Sequence, residues 1–212
     1  MPTLSLRELV KIYHGRCVVN SVSLNVESSS VVGLLGPNGA GKTTTFYLTV
    51  GMVRPNKGQV FLDDEDITDC PMYLRARQPL SKSEQKDRAN SLLEELSIKH
   101  LASQKAGVLS GGERRRLEIT RALATTPSFM LLDEPFAGID PLAVIDIKNI
   151  IRHLKRRNIG IIISDHNVRE TLEVCDQAYI LNNGQIIESG PPEKIASSEI
   201  ARRIYLGDEF RL

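Results

Sequence analysis

An α/β fold built on a parallel sheet is predicted by two features of the chain. Residues 31–35, 129–132 and 161–163 are short, unbroken aliphatic or aromatic runs. Runs of this length suit strands buried on both faces, as in a parallel sheet covered by helices. Each run is followed by turn or polar residues and then by a helix-compatible stretch, which is the alternation of an α/β domain.

The other elements fit around this core. Val22, Leu24 and Val26 alternate with polar residues and read as a half-buried strand. Between Ser81 and Ser97, Ala89, Leu92, Leu93 and Leu96 recur at helical spacing among many charges. Residues 68–108 read as a helical insertion, and the helix predicted from Arg114 extends that lobe to 126. The α/β core then comprises residues 1–67 and 127–190 of a single domain. Ala178 to Ile187, with Asn182-Asn183-Gly184 at its centre, reads as a hairpin with an Asn-Gly turn. Residues 191–212 form a C-terminal tail of helix formers ending in an exposed-looking segment.

Composition narrows the function. The 212 residues are 41% hydrophobic and 25% charged, the profile of a soluble globular protein. A net charge of +1 and an aromatic content of 5% without tryptophan argue against a nucleic-acid surface. No apolar run approaches the ~20 residues that span a bilayer, and the N-terminus lacks signal-peptide character. Any membrane role is therefore expected to run through a partner. Cys17, Cys70 and Cys175 are scattered and odd in number, which fits a reducing compartment rather than a disulfide framework or zinc site.

Three motifs carry chemistry. Gly36-Pro37-Asn38-Gly39-Ala40-Gly41-Lys42-Thr43 fits the phosphate-loop pattern without mismatch, after an apolar run and before a helix beginning near Thr44. Gly39 and Gly41 let the backbone curl so that N–H groups point at phosphate oxygens, and the helix adds its positive end. Lys42 is expected to neutralise β and γ oxygens, and the Thr43 hydroxyl to ligate Mg²⁺. Asp133 and Glu134 follow the second apolar run. Asp133 is expected to hold Mg²⁺ through water, and Glu134 to orient and deprotonate an attacking water. Leu109-Ser110-Gly111-Gly112-Glu113 has the spacing of a capping box, with two glycines leaving backbone N–H groups bare at a helix start.

Together the three motifs resemble those of ABC ATPases, and the resemblance covers nearly the whole chain. It implies a P-loop NTPase fold with a RecA-like core, an antiparallel β-subdomain and a truncated helical subdomain. It also implies ATP and Mg²⁺, and a head-to-tail dimer in which Ser110, Gly111 and Gly112 of one copy complete the other's ATP site. Tyr13 matches the aromatic residue that stacks on adenine, Asp140 belongs to the loop that touches the second copy, and His166 matches the histidine that contacts the γ-phosphate. Two transmembrane permease subunits are the implied partners, with the chain peripheral on the cytoplasmic face of an inner membrane.

Within the family, residues 36–47, 110–116, 136–148, 165–172 and 205–212 resemble the ATPases of lipopolysaccharide export systems. The alternative is a branched-chain amino-acid importer ATPase. Residues 63–66 read as a solvated acidic turn, Arg114-Arg115-Arg116 as a solvated helix start, and residues 152–157 as a charged helix face. His153 has no partner legible in the sequence.

One element is short. Lys42 and Ser110 are 68 positions apart, roughly 25–30 fewer than the resemblance implies for a chain that carries a strand and a glutamine loop there. No apolar strand precedes Gln78, and Gln85 lies inside the predicted helix, so neither is assigned as the sensor glutamine. The segment is expected to be missing near residues 77–80. That opens a further alternative, a nucleotide-binding subunit impaired in hydrolysis. Ser28-Ser29-Ser30 stands where the family has a Gly-Glu turn, and a strained turn is expected there.

Overall fold

The computed structural model describes residues 1–75, 82–207, 210 and 212. Two sheets form the frame. Strands β1 (Thr3–Tyr13), β2 (Arg16–Glu27), β4 (Lys57–Leu62) and β5 (Glu65–Asp66) make an antiparallel sheet in the order β2-β1-β4-β5. Strands β3 (Val31–Leu35), β6 (Phe129–Asp133), β7 (Gly160–Ser164), β8 (Gln177–Asn182) and β9 (Gln185–Gly190) make the second, in the order β6-β7-β3-β8-β9. Its first four strands are parallel, and β9 returns antiparallel from β8.

The aliphatic runs of β3 and β7 are buried throughout. Side chains alternate across a strand, so β7 sends Ile161 and Ile163 into one core and Ile162 into another. Helices α1 (Lys42–Val50) and α2 (Met72–Arg75) come first along the chain, and the first core packs beneath α3 (Lys82–Glu95), α4 (Gly111–Leu123) and α5 (Pro141–Arg156), through Leu92, Ile119, Ile147 and Ile151. The second joins the two sheets through Leu6, Val22, Val32 and Leu34. A third gathers the C-terminal segment, including Ile195 of α7 (Pro192–Ser197) and Tyr205, around Leu35, Leu172 and Ile180.

Expectation and structure differ at β6. The run was expected to be buried on both faces, yet Phe129 and Leu131 are only half-buried. Among the described residues β6 is an edge strand, bonded to β7 alone. A cavity of about 130 Å³ lies against it, walled by Ile119 and Ala122 of α4 and by Met130 and Leu132. A strand with one bare edge leaves a row of N–H and C=O groups open to pairing.

The hairpin is as expected: Asn182 pairs with Gln185, and Asn183 and Gly184 both take positive φ, 47° and 79°. The serine turn is strained, with Ser29 at φ 63°. Residues 63–66 are exposed. Gln78 lies outside the described residues. Strand β1 is absent from the sequence reading because its alternation of Leu4 and Leu6 slips phase at Glu8, where φ is 50° and the register with β2 shifts. Among the described residues no helix is long and apolar enough to cross a membrane.

Ile151 on α5 is fully buried in the first core. Ile151→Ala is expected to cost about 2–5 kcal/mol of stability, read as a lowered denaturation midpoint.

Candidate nucleotide site

Parallel strands end on the same side of a sheet, and ligands of α/β folds gather at those carboxyl ends. The phosphate loop leaves β3 at Leu35 and enters α1 (Lys42–Val50). Its first and last glycines are required by contact. A Cβ on Gly36 would stand 2.0 Å from the Leu181 carbonyl oxygen, and one on Gly41, at φ 108°, would stand 2.6 Å from that of Val18. The loop is therefore pinned between β8 and β2. Gly184 of the hairpin turn donates its N–H to the Ala40 carbonyl at 2.9 Å.

The Lys42 ammonium donates to the carbonyl oxygens of Gly36 and Pro37, at 2.6 and 3.0 Å. Burial pushes its pKa below the ordinary lysine value, while the charges of Glu134, Asp133 and Asp165 work against that shift. Pro37 and Thr44 are half-buried, whereas Asn38, Gly39 and Thr43 are exposed along the loop.

Asp133 and Glu134 close β6. Glu134 sits at φ 49°, a costly region for a residue with a side chain. Two bonds hold it there. Its N–H donates to the Ser164 carbonyl at 2.6 Å, and Arg115 of α4 donates to its carbonyl at 2.8 Å. Arg115 is thus a brace for the acidic strand end, which corrects its reading as a solvated helix start. Its neighbour Arg116 pairs with Asp146 of α5 at 3.8 Å. Neither role was visible in sequence, because each depends on which element packs beside α4.

Asp165 follows β7 and is fully buried. Its carboxylate accepts the N–H of Phe136 and of Asn167, both at 2.8 Å. That joins the loop after β6 to the start of α6 (Val168–Leu172). His166 projects between these anchors. Its Nδ1 lies 3.7 Å from the Glu134 carboxylate and 3.6 Å from that of Asp165. Lys42, Asp133, Glu134 and His166, far apart in sequence, therefore meet at one rim.

Burial, the largest cause, and the nearby Glu134 raise the Asp133 pKa above the ordinary carboxylate value, a shift that a bound cation would reverse. Ser164 pairs in register with Asp133, and its buried hydroxyl lies beside that carboxylate without completing a hydrogen bond. Among the described residues no three His, Cys, Asp or Glu side chains form a cage. One carboxylate, the exposed Thr43 hydroxyl and an unfilled polar position fit Mg²⁺, which keeps waters and substrate phosphates in its shell.

Ser110, Gly111 and Gly112 assemble with a different loop. The capping box at the head of α4 is complete: Ser110 accepts from the Glu113 N–H, and Glu113 accepts from the Ser110 N–H at 2.8 Å. A Cβ on Gly111 would stand 3.1 Å from the Gly138 carbonyl, and one on Gly112 would stand 2.7 Å from the Ala143 Cβ. Asp140 caps α5 by accepting the Ala143 N–H at 3.0 Å. Tyr13, at the end of β1, is 38% exposed with the Lys11 ammonium 5.2 Å from its ring centroid. His153 finds a partner that sequence did not reveal, Glu95 of α3 at 2.7 Å.

This constellation on this fold defines a P-loop nucleotide-binding cassette, and the chain belongs to the ABC transporter family, whose model matches residues 19–137. It is an ATP-binding, ATP-hydrolysing transporter subunit. The lipopolysaccharide export system ATP-binding protein LptB of Escherichia coli K12 is 49% identical, with all of both chains covered. The Haemophilus influenzae protein of the same name is 46% identical, again over both whole chains. Both alignments run over 241 positions against 212 residues here, a difference of 29. The crystal structure of the ADP conformation of an ABC transporter ATP-binding cassette is 28% identical, with a TM-score of 0.88 over 98% of this chain and all of that one.

Gly112→Ala tests the packing of the two loops. Alanine favours a free helix, yet here its methyl would collide with Ala143. The expected result is a loss of about 1–3 kcal/mol rather than a gain, measured by thermal unfolding.

Proposed function

We propose that this chain powers a transporter of the lipopolysaccharide export type by hydrolysing ATP. The observation that carries this reading is its full-length similarity to relatives named for lipopolysaccharide export. The chain acts as a head-to-tail dimer on the cytoplasmic face of the inner membrane, joined to two permease subunits.

Each residue has a task set by its place at the rim. Backbone N–H groups of residues 36–43 cradle the phosphates, and Lys42 exchanges its two carbonyl partners for β and γ oxygens. Thr43 and Asp133 hold Mg²⁺, which supplies charge neutralisation on the phosphates. Glu134 orients the attacking water and takes its proton. His166, beside Glu134, contacts the γ-phosphate, and Tyr13 stacks on adenine. Asp140 caps the helix that follows the dimer-contact loop. Ser110, Gly111 and Gly112 close the second copy's site, aided by the positive end of α4.

Glu134→Gln is expected to slow hydrolysis by ~10²-fold or more, while ATP still binds and the protein elutes as an ATP-dependent dimer. Undiminished turnover in that variant removes Glu134 as the base.

The open edge of β6 favours a second reading, a nucleotide-binding subunit weak in hydrolysis. The strand carrying Asp133 and Glu134 lacks an outer neighbour among the described residues. The relatives' alignments run 29 positions longer than this chain, a difference in total length that a shortened interval between phosphate loop and signature would produce. An intact mass of 23.5 kDa is expected for the purified chain, and about 3 kDa more would restore an interval of ordinary length. Replacing residues 43–109 with the E. coli relative's own interval is expected to raise both turnover and the unfolding midpoint. Turnover no higher in that chimera would set the second reading aside.

A further inference from the structure

Helix α6, which follows His166, has little to hold it in place by itself. It is five residues long and lacks a side-chain cap at Asn167. Helices this short are marginal without tertiary anchors. Thr171 and Leu172 bury one side of it. Asp165 ties its start through the Asn167 N–H, and Lys148 of α5 holds its body, reaching Glu170 within α6 and Glu173 at its end, the latter at 2.5 Å. Lys148 is only 7% exposed, which is rare for a lysine unless it is paired. Burial opposes its charge, but the bonds and charges of Glu170 and Glu173 outweigh that and leave its pKa above the ordinary lysine value.

The position of Lys148 along α5 gives this clamp its meaning. Helix α5 is capped by Asp140, at the end of the loop against which Gly111 packs. Lys148 lies two turns further on. One stiff helix therefore runs from the dimer-contact loop to the clamp, and the clamped helix begins two residues after His166. The helix and the clamp thus form a continuous connection between the loop and α6.

We propose that Lys148 is a positioning residue, which clamps α6 through Glu170 and Glu173 and so holds His166 in its working place relative to Glu134. This rests on the hydrolytic reading above. Lys148 touches no nucleotide in that scheme, so its removal should separate catalysis from binding.

The test compares the full chain with Lys148→Met and Lys148→Arg. Three quantities are measured: amide exchange over residues 165–175, affinity for a fluorescent ATP analogue, and hydrolysis at saturating ATP. In Lys148→Met, the amides of α6 are expected to lose about tenfold in protection and kcat to fall about tenfold, with affinity within about twofold of the parent. Lys148→Arg is expected to keep protection and kcat near the parent. Unchanged exchange and turnover in Lys148→Met overturns the proposal. So does a loss spread over the whole chain together with weakened ATP binding, because Lys148 would then serve the fold alone. If the parent chain itself fails to hydrolyse ATP, the hydrolytic reading falls, and the exchange over α6 still decides whether the clamp exists.

Discussion

Strands β3, β7 and β6 run parallel and in register, so their carboxyl ends bring Gly36, the Asp165–His166 pair and the Asp133–Glu134 pair to one rim. The buried Asp165 carboxylate secures that alignment. It spends both oxygens on backbone N–H groups, one in the loop after β6 and one at the start of α6. Hydrogen bonds to a charged acceptor are stronger than neutral ones, and a buried carboxylate left without donors would carry a heavy desolvation cost. The two loops that present Glu134 and His166 are thus tied to a common point that cannot be vacated cheaply.

Around that point the site stores strain and supports it. Glu134 occupies a left-handed backbone conformation, held by the Ser164 carbonyl on one side and Arg115 on the other. Strained residues of this kind persist only where their surroundings over-determine them. Lys42 is folded back on its own loop, and Ser164 keeps a hydroxyl without a partner. Both are arrangements that an anion and a hydrated cation would complete.

The rim is less well supported at its outer side. β6 carries the two carboxylates but is bonded along only one edge among the described residues. An unpaired edge allows a strand more freedom at its end, and the end of β6 is where Asp133 and Glu134 sit. Arg115 spans part of that side from α4, which makes the contact between α4 and β6 more important here than in a strand enclosed on both edges.

The sequence by itself determined the parallel core, the phosphate loop, the acidic strand end, the capping box and the Asn-Gly hairpin. Each is specified by neighbours a few residues apart: continuous β-branched runs, glycines where the backbone must turn left, and a serine three residues before a glutamate. His166 stood out from His153 only through family resemblance, which implied a γ-phosphate contact; its place beside Glu134 came from the structure. Tertiary structure alone decided the roles of Arg115, Asp165 and Lys148 and, among the described residues, the bare edge of β6. Arg115 finds Glu134 19 residues on, Asp165 finds Phe136 29 residues back, and Lys148 finds Glu170 and Glu173 22 and 25 residues on. Whether a charge is a brace, a staple, a clamp or a solvated surface group depends on which element packs beside it, and that is set by the fold as a whole.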